Sequence, residues 1–248
     1  MIGLTLADRP SVARLAQAVG LERLLAFVEG SHRRACAVLV LVALACFLPG
    51  FASVQPLDRD EPRFAQASKQ MLETGDFVDI RFQDEARHKK PVGIYWLQSA
   101  TVAAAELAGL PDARRTIAAY RVPSLAGALA TVLLTYWAAL AFAGRRVAFL
   151  SALMMASAAI LVAEAHIAKT DAVLAACSVA AMGGLARAYL RRDLAPVSAG
   201  TALGFWVAVA LGILIKGPMI AMFAGLCALA LSARERSGRW LLSLRPGF

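Results

Sequence analysis

Long apolar stretches without charge alternate with short polar ones along most of this chain. Residues 35–53, 122–143, 147–163 and 197–215 carry no charged side chain, and 217–233 follows the same pattern. A bilayer core about 30 Å thick takes roughly 20 residues of helix, so each stretch is a candidate span. The run 172–186 is short between Asp171 and Arg187, but it reaches Leu190 if Arg187 snorkels to the interface. One segment is ambiguous: "PVGIYWLQSATVAAA" (91–105) is apolar, then meets Glu106 and Pro111.

Two further stretches are amphipathic. After Pro62, residues Phe64, Ala67, Ser68, Met71 and Leu72 recur at helical spacing, and Gly75 ends the pattern. Pro62 suits a first helical position with Asp60 or Glu61 at the cap. The spacing predicts a helix lying on the membrane surface. Residues 1–34 set Val12, Leu15, Val19, Leu24, Leu25 and Val28 among charges, as in an amphipathic segment on the cytoplasmic face. The first long apolar run starts only at Ala35, too late for a signal peptide.

Composition agrees with a membrane protein: 59% of the 248 residues are apolar and 17% charged. Soluble domains have about 45–50% and 25%. The net charge of +9 is spread over "HRR" (32–34), "GRR" (144–146), "RAYLRR" (187–192) and "RERSGR" (234–239). Short basic clusters between spans follow the positive-inside rule and argue against a nucleic-acid partner. If 91–109 crossed, the last three clusters would fall outside. Treated as a re-entrant or interfacial helix, it leaves only "DARR" (112–115) misplaced. The expected fold is therefore an all-α polytopic membrane protein with about six transmembrane helices plus external juxtamembrane or re-entrant helices. Residues 35–248 form one transmembrane unit. Its loop 54–116, the turn 164–171 and the turn at Lys216–Pro218 open on the same external face. Cys36, Cys46, Cys177 and Cys227 lie in apolar runs without CxxC spacing or a nearby histidine, so they read as small core residues.

Polar chemistry concentrates on that face. Residues 55–90 hold eight of the chain's 17 acids. They begin with Asp58, Arg59, Asp60, Glu61 and Arg63, either a collar where the chain leaves lipid or part of a reaction site. In "HKKPVGIYW", His88, Lys89 and Lys90 precede Pro91, Tyr95 and Trp96. This group can bind a lipid phosphate, and it can equally be an interfacial anchor. In "EAHIAKTDAVL", Asp171 directly precedes an apolar run, where a carboxylate is costly without a partner, although a plain turn also accommodates it. Lys216, in "IKGPM", is a boundary marker or a ligand on the acidic face. No HExxH, P-loop, GxGxxG or GxSxG is present, which disfavours a nucleotide-dependent enzyme or a serine hydrolase.

The order of these clusters carries a resemblance. "DRDEPRFAQASKQMLETGDF", "KKPVGIYWLQSA", "YRVPSLAGAL", "AKTDAVLA" and "LIKGP" follow one another with suitable spacing. Over roughly residues 35–225 the chain resembles the amino-terminal half of GT-C superfamily glycosyltransferases. It is similar to the bacterial aminoarabinose (lipid A) transferases and the dolichyl-phosphate-mannose protein mannosyltransferases. Phe64 stands where the family usually has Tyr, and Val92 where it has a second proline. Family members are usually much longer, so the carboxy-terminal half of the pattern is expected to lie outside this chain.

The resemblance implies transfer of a sugar from a polyprenyl-phosphate carrier to a lipid A, glycan or protein acceptor. Transfer would occur on the external face of the cell inner membrane. It assigns catalytic work to Asp60, with Asp171 supporting and Glu61 positioning the loop. Lys90, Lys89, Arg63 and Lys216 would hold the carrier phosphate, and His88 and Tyr95 would touch substrate. A divalent metal is compatible with the resemblance, but the sequence shows no clear ligand set. Two other readings stand beside it: a non-catalytic fragment, and a small transporter or lipid-phosphate-binding membrane protein. The charge-free spans 35–53, 122–143 and 197–215 count against a transporter, which places polar groups near mid-membrane.

Overall fold

A computed structural model of the chain describes residues 20–56 and 59–245. The expected amphipathic positions Val12, Leu15 and Val19, together with Asp58, lie outside the described residues. What remains of the amino-terminal segment forms α1 (Leu21–Glu29), which buries Leu25 and Val28 in the same core cluster as Leu39 and Phe149.

The chain then passes between two ends of a helical bundle. Helix α2 (His32–Phe47) starts on a Ser31 cap whose hydroxyl accepts from Arg33 N at 3.2 Å. Helix α3 (Glu61–Thr74) has Pro62 in its first turn and closes on Gly75, whose φ of 73° is the left-handed cap expected of glycine. Asp60 holds the cap position but makes no capping bond with its side chain. A two-residue hairpin follows, β1 (Arg81–Phe82) antiparallel to β2 (Glu85–Ala86). Next come α4 (Gly93–Leu107) and α5 (Ile117–Ala139). They are followed by α6 (Arg145–Ala156), α7 (Ala159–Ala165) and α8 (Asp171–Leu190). Helices α9 (Ala199–Lys216) and α10 (Met219–Glu235) complete the bundle.

Helices α5, α8 and α9 are long and apolar enough to cross a membrane, and α6 with α7 makes a fourth, broken candidate. With 16 and 17 residues, α2 and α10 are slightly shorter. Side-chain contacts show which ends lie together. At one end, His32 Nδ1 meets the Tyr136 hydroxyl at 2.8 Å and Arg145 donates to Glu29 O at 2.7 Å. At the other, His166 Nε2 lies 2.8 Å from Pro49 O, and Lys216 Nζ donates to Asp171 Oδ1. Among the described residues the chain thus runs between the two ends of the bundle six times, in α2, α5, α6–α7, α8, α9 and α10. Both ends of α4 stay at the second end: Gly93 backs onto Leu214, and near its other end Glu106 accepts from Arg114 Nε at 2.6 Å just before α5. Contact between α5 and α8 is backbone-close, because a Cβ on Gly127 would lie 2.7 Å from Val173 N.

Two sequence expectations change. The run 147–163 is not one straight span; the chain bends by 59° between α6 and α7. Ser157 there turns its hydroxyl back to Leu153 O at 3.1 Å and Met154 O at 3.3 Å, a local bond that competes with the helical ladder. Arg187 does not snorkel outward. Its guanidinium lies 3.7 Å over the Trp137 ring and donates to Trp137 O.

Candidate functional site

The second end of the bundle is assembled around one buried ion pair. Glu61 and Arg121 are each 1% exposed. Glu61 Oε1 accepts from Arg121 Nε at 2.7 Å and from Ala168 N at 2.9 Å, while Oε2 accepts from Arg121 Nη2 at 3.2 Å. Arg121 Nη1 then donates to Phe51 O at 2.9 Å and Val54 O at 2.8 Å. This single pair joins the exit of α2, the start of α3, the first turn of α5 and the segment leading into α8. Both carboxylate oxygens and the guanidinium donors are engaged, which is what makes two buried charges tolerable.

A second buried link runs parallel to it. Ser68 donates to Gln98 Oε1 at 2.7 Å, and Gln98 Nε2 donates to Ala168 O at 3.1 Å. Together the two links fix α3 and α4 against the α7–α8 connection. Neither Arg121 nor Gln98 is among the sequence-expected site residues. A signal exists in the chain: Arg121 and Gln98 stand out as a charge and an amide within largely apolar stretches, "AAYRVPSL" and "IYWLQSA".

The neighbouring Asp60 faces the other way. Its side chain is 47% exposed, with Arg63 Nη1 3.5 Å from Oδ1. Asp171 and Lys216 form a direct ion pair between the start of α8 and the end of α9. Lys89 is exposed and Lys90 half-buried, and neither has a carboxylate partner among the described residues. Lys90 lies three residues before Gly93, whose Cα faces the Leu214 carbonyl two residues before Lys216.

The loop bearing these lysines is pinned in place. The Gln70 side chain of α3 donates to Gln83 O at 3.0 Å and accepts from Gln83 N at 2.7 Å, and Trp96 Nε1 donates to Phe77 O at 2.7 Å. Asp76 accepts from Val78 N and Asp79 N, bonds that hold its carboxyl below the usual range. His88, expected to touch substrate, is bonded to Asp79 at 2.9 Å within this loop.

Arg87 is the other residue the sequence did not single out, being one of several bases in a row. It is 9% exposed and lies 5.3 Å over the Phe64 ring. Phe64 in turn stacks on the buried Tyr95 with centroids 5.4 Å apart. Arg87 Nε and the Tyr95 hydroxyl are both buried without a hydrogen-bond partner. Burial pushes the Tyr95 hydroxyl up, and the adjacent Arg87 charge opposes that shift. Arg87 Nε is thus one unmet donor beside the Tyr95 hydroxyl, and a guanidinium so placed can take an oxyanion as its partner. No three His, Cys, Asp or Glu side chains among the described residues converge as metal ligands.

Helices long and apolar enough to cross a membrane, with a polar cap built from the first exit loop, α3 and α4, describe a helical membrane protein. The family model for dolichyl-phosphate-mannose-protein mannosyltransferase matches residues 61–236, and the chain belongs to that family. Two solved structures are similar, both of ArnT from Cupriavidus metallidurans. The apo form aligns at TM-score 0.67 and 23% identity over 85% of this chain and 40% of that one. The form bound to undecaprenyl phosphate aligns at TM-score 0.69 and 24% identity, over 84% and 38%. The chain therefore spans about 40% of the length of the solved structures it matches. No curated protein matches it.

Proposed function

We propose that this chain provides the carrier-binding and catalytic-carboxylate half of an integral-membrane glycosyltransferase. It would move a sugar from a polyprenyl phosphate to a lipid A, glycan or protein acceptor on the external face of the inner membrane. One observation carries the reading: a solvent-facing carboxylate, Asp60, shares an end of the bundle with the cations Arg87, Lys89 and Lys90, which have no carboxylate partner among the described residues. Family membership and the fold shared with ArnT bound to undecaprenyl phosphate support the class of donor.

Transfer breaks the bond between the anomeric carbon and a phosphate oxygen. The departing carrier phosphate is already anionic, so it needs electrostatic stabilisation rather than a proton. Lys90, Lys89 and Arg63 at the loop, with Arg87 below them, are the donors for that phosphate. Lys216 contributes through its pair with Asp171, which keeps a cation at the end of α9. Asp60 orients the attacking hydroxyl and takes its proton as the new glycosidic bond forms. Glu61 is fully used by Arg121 and Ala168 N, so its part is to position Asp60 rather than to meet substrate.

The test is Asp60→Asn in the full-length membrane enzyme, assayed with a polyprenyl-phosphate sugar. Turnover should fall by about 10²–10⁴-fold, the usual contribution of a positioned base, with folding and carrier binding intact. Near-normal turnover would remove Asp60 from the mechanism. Absence of transfer by the parent protein, with carrier binding retained, would instead make the chain a lipid-phosphate binder.

A further inference from the structure

A second charged site lies at the opposite end of the bundle. There the segment after α8 and a 3-10 turn at Arg239–Leu244 border an open cavity of about 510 Å³. Its lining includes Arg191, Arg192, Arg239 and Arg245, against a single acid, Asp193. Arg192 is already paired, with Glu235 at 3.3 Å and Asp193 at 3.7 Å. The side chains of Arg191, Arg239 and Arg245 have no carboxylate partner among the described residues. All three are exposed and line the same cavity, so an anion seated there can be bonded by more than one guanidinium.

The walls are held by specific bonds. Trp206 Nε1 donates to Leu244 O at 2.9 Å, and Trp240 Nε1 donates to Ser232 Oγ at 3.2 Å. Tyr189 packs edge-on against Trp240 with centroids 5.5 Å apart. Beside the arginines stand two leucines turned outward, Leu194 at 82% exposure and Leu242 at 68%. Cations around a cavity with bare leucines alongside match an amphiphile: an anionic head with acyl chains attached.

The place in the fold selects the same ligand. Helix α8 has 20 residues, so its far end lies about 30 Å from Asp171, one bilayer core away. The cavity therefore serves the other leaflet, at the end where "HRR", "GRR", "RAYLRR" and "RERSGR" gather. By the positive-inside rule that end faces the cytoplasm, whose leaflet is rich in anionic lipid. We infer that this cavity binds the phosphodiester headgroup of an anionic membrane phospholipid. The site is independent of the sugar-transfer reading and separate from its carrier phosphate.

The test is native mass spectrometry of the full chain in detergent, with phosphatidylglycerol and phosphatidylcholine supplied at equal concentration. The parent should retain phosphatidylglycerol at least about tenfold better, as several cations near one headgroup require. The triple variant Arg191→Gln, Arg239→Gln, Arg245→Gln should lose that preference. The single variant Arg239→Gln should weaken retention about fivefold. Equal retention of the two lipids by the parent would overturn the inference. So would an undiminished preference in the folded triple variant. Inorganic phosphate binding as tightly as phosphatidylglycerol would overturn the assignment to a lipid.

Discussion

Glu61 and Asp60 are adjacent acids with opposite surroundings, and the difference decides what each can do. Glu61 is enclosed with Arg121 and has no free oxygen to offer. Replacing Arg121 by Met leaves that carboxylate buried and uncompensated, a change that costs about 3–5 kcal/mol. Thermal unfolding in detergent should show the loss, and an unchanged melting temperature would mean that the pair does not hold the site together. Arg87 makes the converse case, since its guanidinium Nε already sits buried without a partner. Arg87→Met should therefore leave unliganded stability within about 1 kcal/mol, the worth of its contact with Phe64. Affinity for a polyprenyl phosphate should meanwhile fall about tenfold, equivalent to about 1.4 kcal/mol. A stability loss without an affinity loss would make Arg87 a packing residue only.

Among the elements, α3 is the one most legible in the sequence. Its apolar spacing, its proline and its closing glycine all appear in the chain, and the helix runs from Glu61 to Thr74. The bend between α6 and α7 is not legible there, because "LMMASAAILVAEA" is uniformly apolar and small apart from its serine and one acid. Hydropathy averages over such a break. Beyond the Ser157 bonds at the break, the far end of α7 is held from a distance in sequence: His166 reaches Pro49 O, and Ala168 N reaches Glu61. The contact of α5 with α8 is hidden for a related reason, since a glycine in a span says nothing about which helix approaches it. Gly127→Ala should force the two backbones apart, because its Cβ would stand 2.7 Å from Val173 N. The cost is about 1–3 kcal/mol, readable as a lowered melting temperature. A parent-like value would show that the helices have room to separate.

For the whole molecule, the apolar runs and the placing of basic clusters were enough for an all-α membrane bundle with an acid-rich loop at one end. That information is local: a span must be apolar along its own length, and each loop carries its own charge. The order of short polar motifs likewise pointed to the family that the match over 61–236 establishes. The site itself was a different matter. Asp60 and Glu61 are adjacent acids that the chain alone does not tell apart, and only the packing of Arg121 against Glu61 separates a solvent-facing carboxylate from a structural one. Lys216 finds Asp171 across 45 residues, and Arg87 loses its solvent to Phe64 and Tyr95. Burial and charge pairing are set by segments far apart in the chain, so tertiary structure alone decided which polar groups are spent on the fold and which remain for a substrate.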